Sequence, residues 1–151
     1  MSVETFILTL CAVVAGGVIA LQSPINAAMA MRIGNPIAGA TWSFIVGTVA
    51  LLLLSMVLAR GSANPSALMT MSPLLIFGGG LLGATFVTSN ILLTPRIGVA
   101  AVVALAIAGQ VIASLILDRY GFLGMAMREL SPGRLLGAVM VVAGALMVRF
   151  L

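Results

Sequence analysis

The sequence predicts an all-α membrane protein with five transmembrane helices, and three observations predict it. Hydrophobic residues make up 62% of the 151-residue chain and charged ones only 7%, against roughly a quarter charged in soluble domains. Mean hydropathy is strongly positive, at +1.30. The apolar residues fall into runs of about 20, the length that crosses the hydrocarbon of a bilayer, separated by short segments that hold most of the arginines and prolines. The runs lie at about residues 5–31, 37–59, 74–94, 99–117 and 134–151. They use up the chain, so residues 1–151 are expected to form a single transmembrane domain with no separate soluble part.

The first run contains the most unusual stretch, Leu21-Gln22-Ser23-Pro24-Ile25-Asn26. Gln22 and Asn26 are four apart and project from one face of a helix. Pro24, between them, is expected to break the helix locally, since it removes one backbone donor and leaves the carbonyl near Ala20 without its usual partner. Two readings fit these amides: hydrogen-bonded glue between helices, or a substrate site. Ala12, Gly16 and Ala20 form a small-residue seam on the same span, and Glu4 precedes it where a cleaved leader would carry a cation, so a retained helix is expected.

Arg32-Ile33-Gly34-Asn35-Pro36 is expected to turn the chain into the second span, where Gly39, Ser43 and Gly47 repeat the small-residue spacing. Trp42 fits either an interfacial anchor or a ring lining a cavity beside Ser43. From Arg60 to Pro73 the polar residues and prolines predict a loop. The third span pairs Gly79 with Gly83, carries Thr85, Thr88 and Ser89 on one face and Asn90 after them, and is expected to end at Pro95. Its hydroxyls can satisfy themselves on the preceding turn.

Gln110 stands near the middle of the fourth span, with Ala106 and Ser114 one turn either side. At that depth an amide must face protein or a cavity. Asp118, Arg119 and Tyr120 are expected at the membrane edge, followed by a loop to Pro132. The fifth span carries Gly133 and Gly137 and no strongly polar residue before Arg149, as suits a packing or dimerisation helix.

What the chain lacks is equally informative. It has no histidine, no lysine and one cysteine, Cys11. No intrachain disulfide, resident metal, cofactor or nucleophile–base pair is expected, so neither is an enzyme. The net charge of +4 comes from scattered arginines that anchor loops, and no nucleic-acid partner is expected.

Five spans put the termini on opposite sides. Arg60, Arg119, Arg128 and Arg134 then fall on the amino-terminal side and Arg32, Arg96 and Arg149 on the other. Arginine excess normally fixes orientation, and this near balance predicts insertion both ways. Two copies would then pair antiparallel and generate an inverted repeat by association. The alternatives are one orientation, or an oppositely oriented paralogue as partner.

Several motifs together resemble a known family. Gln22 to Asn26, Ser43-Phe44-x-x-Gly47, Gly79-Gly80-x-x-Gly83 followed by Thr88-Ser89, Pro95-Arg96-Ile97-Gly98, Ala108-Gly109-Gln110 and Arg134-Leu135-Leu136-Gly137 are similar to the bacterial YdcZ-like family of the drug/metabolite transporter superfamily. The resemblance covers essentially the whole chain. It implies a half-size, five-helix, multi-pass protein of the bacterial inner membrane, and a dual-topology dimer, an oppositely oriented pair or a fused ten-helix form. Small multidrug resistance relatives in that superfamily use a carboxylate in the first span. Here the middle of that span reads Ala15-Gly16-Gly17-Val18-Ile19, with only Glu4 nearby.

Residues and resemblance together predict a small-molecule transporter working by alternating access in an antiparallel homodimer. Neutral or zwitterionic metabolites, or hydrophobic compounds, fit a site without charge. Gln22, Asn26 and Gln110 are expected to line its cavity, with Ser43, Trp42, Thr88, Ser89 and Asn90 as further candidates. A channel and a non-transporting membrane scaffold are the alternative functions.

Overall fold

The computed structural model describes residues 2–58 and 64–151. Arg60, Ser62 and Ala59, the last residue expected of the second span, lie outside the described residues. Five α-helices follow in order: α1 Val3–Ile33, α2 Pro36–Leu58, α3 Pro73–Ile97, α4 Val99–Tyr120 and α5 Pro132–Phe150. Each is long and apolar enough to cross a membrane. Among the described residues there is no strand.

The helix ends are chemically specified. Ser2 caps α1 by accepting from the Thr5 backbone N–H, and Ser131 caps α5 by accepting from Arg134. At the α1–α2 turn Gly34 takes φ 80°, a left-handed conformation that a side chain resists. The Asn35 side chain then accepts from the N–H groups of Ile37 and Ala38 at 2.9 and 3.1 Å, satisfying donors that the helix start leaves free.

Three sequence expectations are corrected. Pro24 does not break α1, which is continuous from Val3 to Ile33. A proline inside a membrane helix loses one bond but keeps the rest, because no water competes for them. Pro95 does not end α3, which continues to Ile97; the helix loses the one bond to the Ile91 carbonyl and keeps the others. The segment expected as plain loop contains a short 3-10 helix, Pro65–Thr70.

The chain divides into two compact units at Pro95–Arg96. In the first, α1 packs against α2. They come close at Ala30 and Gly39, where a Cβ on Gly39 would lie 2.7 Å from that of Ala30. Ala30, Ala40, Val87 and Ile91 form a small buried cluster drawn from α1, α2 and α3, with Phe86 against it. In the second unit, α4 packs against α5, burying Ala138 and Ala145 of α5. Most large apolar side chains remain exposed on single helices, as expected of faces that meet lipid or another protein.

Candidate functional site

The buried polar residues among those described are Ser23, Asn26 and Thr94, none of them charged. Ser23 and Asn26 stand three apart on α1, a spacing that places both on one face. Thr94 comes from α3, and its Oγ1 lies 2.6 Å from Ser23 Oγ in a buried hydrogen bond between the helices.

Asn26 is 6% exposed, and its side chain makes no hydrogen bond to any described residue. Among the described residues no buried side-chain polar atom is both fully occluded and without a partner, so the Asn26 amide keeps a small opening. It therefore offers two N–H donors and a carbonyl acceptor to whatever enters. A buried amide left unsatisfied is costly. Ala27 and Ala30 continue the same buried side of α1.

On the α2–α3 side of this unit is an open groove of about 450 Å³, lined in part by Thr41, Phe44, Thr48, Ala84 and Thr88. The Thr41 hydroxyl is committed to the Ile37 carbonyl at 2.9 Å. Those of Thr48 and Thr88 make no hydrogen bond to described residues. Gly83 makes room for the Phe44 ring, whose Cζ would be 3.4 Å from a Cβ at that position. A second open groove, of about 580 Å³, runs past Asn35, Thr41 and Trp42.

The candidates named from sequence therefore occupy different environments. Asn26 is buried, Thr88 is half-buried in the groove and Ser43 is half-buried on α2. Asn90 is half-buried and donates to the Phe86 carbonyl at 3.1 Å, so part of its capacity is used within α3. Gln22, Ser89 and Gln110 are exposed, and Trp42 is 55% exposed. Gln110 belongs to the second unit, on α4.

Sequence reasoning missed Ser23 and Thr94 as a pair. The signal was a hydroxyl residue immediately before proline in both spans, Ser23-Pro24 and Thr94-Pro95.

The second unit carries its polarity at the end of its helices. Arg134 Nη2 pairs with Asp118 Oδ2, and Arg134 Nη1 donates to the Glu129 carbonyl at 3.1 Å. The Arg128 N–H donates to the Asp118 carbonyl at 2.8 Å, so the α4–α5 connection is tied at several points. Between the helices lies a groove of about 530 Å³ lined by apolar side chains such as Ile112, Leu135 and Val142. Cys11 is exposed on α1, and no group of histidine, cysteine or acidic residues capable of holding a metal occurs among the described residues.

Helices of this length and composition, with an uncharged polar site buried among them, define a multi-pass integral membrane protein. The chain belongs to the family described as "Putative inner membrane exporter, YdcZ", whose model matches residues 7–147. It is thus a five-helix protein of the inner membrane. No curated protein and no solved structure matches the chain.

Proposed function

We propose that the protein is a secondary transporter that moves neutral or zwitterionic metabolites, or hydrophobic compounds, by alternating access in an antiparallel homodimer. The observation that carries this reading is Asn26, an amide 6% exposed with no hydrogen-bond partner among the described residues. Helix glue would show that amide bonded to a neighbouring helix. A binding group waits with its donors and acceptor free, at a cost that the ligand removes on arrival. The absence of any charge among the described buried residues favours an uncharged or charge-balanced cargo.

The near balance of arginines supports pairing between oppositely inserted copies. The seam at Ala12, Gly16 and Ala20 supports it too, because a Cβ on Gly16 would meet nothing within 4 Å in a single chain. Gln22 of the first unit and Gln110 of the second are each exposed in a single chain, open to such a contact. With no nucleophile–base pair, the protein would bind and release its cargo unchanged.

The experiment is a thermal-shift screen of neutral and zwitterionic metabolites on the purified protein, then flux of the stabilising compound in proteoliposomes. Saturable flux that falls about tenfold or more in Asn26→Leu is expected. A compound that binds but is never moved contradicts the reading. For the dimer, carboxyl-terminal reporters active respectively inside and outside the cell should both give signal; activity of only one refutes dual insertion.

A further inference from the structure

Pro24 and Pro95 each follow a hydroxyl residue, and those two hydroxyls meet at 2.6 Å. A proline within an α-helix withholds the N–H that would bond the carbonyl four residues earlier. Pro24 in α1 therefore releases the Ala20 carbonyl, and Pro95 in α3 releases that of Ile91. Each released carbonyl lies three residues before its hydroxyl, Ala20 before Ser23 and Ile91 before Thr94, which is one helical turn on the same face. Ile91, Ser23 and Thr94 are all buried. In the hydroxyl pair one oxygen donates and the other accepts, so a single proton remains for the carbonyls. Asn26 adds a further oxygen one turn along α1.

The result is a surplus of uncharged oxygen acceptors at buried and half-buried positions, and among the described buried residues there is no carboxylate, arginine or lysine. Divalent cations demand carboxylates. A monovalent alkali cation does not, since backbone carbonyls can replace its hydration shell, and helix interruptions coordinate Na+ in this way.

We propose that Ser23 Oγ, Thr94 Oγ1 and the proline-released carbonyls of Ala20 and Ile91 form a Na+ site, with Asn26 Oδ1 at its edge. Entry of the ion parts the two hydroxyls, exchanging their mutual hydrogen bond for two ion contacts. The site links α1 to α3, so ion binding would tighten the first unit. Its use as a coupling site rests on the transporter reading, whereas ion binding itself does not.

The test is the melting temperature of the purified full chain in NaCl against choline chloride and KCl at equal ionic strength. Na+ should raise it by about 4 °C or more at saturation. Thr94→Val and Ser23→Ala should raise the half-saturating Na+ concentration about tenfold or more, Ser23→Thr should keep it near the wild-type value, and Ser55→Ala, at an exposed hydroxyl on α2, should leave it unchanged. Asn26→Asp, which adds a charge without changing size, should tighten it. Equal melting in all three salts overturns the site, as does a Na+ shift that survives Thr94→Val and is indifferent to Asn26→Asp. A Na+ shift with Na+-independent flux keeps the site and removes its coupling role. Flux without any Na+ shift keeps the transporter and removes the site.

Discussion

The two units of this chain place their polarity in opposite ways. The first, ending at Pro95, buries Ser23, Asn26 and Thr94 within its helices and, among its described residues, no charged one with them. The second keeps an apolar groove between α4 and α5 and gathers its charges at the helix ends, where Asp118 pairs with Arg134. A buried amide in a membrane helix is expensive unless it is bonded or used. An ion pair with side chains 33% and 35% exposed is cheap to keep and adds little.

The glycines offer the strongest way to break that contrast. Gly39 lies against Ala30 so closely that a Cβ would sit 2.7 Å from the alanine Cβ and 3.0 Å from its Cα. Gly39→Val should therefore force α1 from α2 and cost about 1–3 kcal/mol in thermal or denaturant unfolding of the purified protein. Gly137, in α5, has nothing within 4 Å. Gly137→Val should leave monomer stability within about 0.5 kcal/mol. If α5 lies at the dimer interface, that variant should lower the dimer fraction in cross-linking. Equal losses at both positions would mean that the α1–α2 contact has no special role.

Smaller effects sharpen the same division. Asp118→Asn removes the charge that Arg134 faces while leaving the Asp118 backbone carbonyl to accept from Arg128. It should cost under about 1 kcal/mol and show mainly as faster proteolysis of the α4–α5 connection. Smallest of all, Glu4→Gln should leave flux unchanged, because Glu4 is an exposed acid in the first turn of α1, far along the helix from Ser23 and Asn26. Loss of flux at normal expression would make Glu4 a coupling residue instead.

Much of the fold was legible in the sequence because hydropathy and length suffice for spanning helices, and all five lie where the apolar runs do. Asn26 was legible too, as an amide where amides are costly. Which side of a helix faces protein was not. Gln22 and Asn26 share a helical face by spacing, yet one is exposed and the other buried. Apolar residues surround both, so no amphipathic pattern marks the packed side of α1.

The Ser23–Thr94 bond joins residues 71 apart and the Asp118–Arg134 pair residues 16 apart; both follow from tertiary packing that local spacing does not encode. Pro24 and Pro95 misled in a common way, since rules learned from water overstate how readily a proline ends a helix in lipid.

The most direct measurement compares initial flux of a stabilising metabolite into proteoliposomes bearing wild type, Asn26→Leu or Asp118→Asn at matched amounts of folded protein. The account predicts flux near wild type for Asp118→Asn and at least about a tenfold loss for Asn26→Leu. Undiminished flux in Asn26→Leu would contradict it.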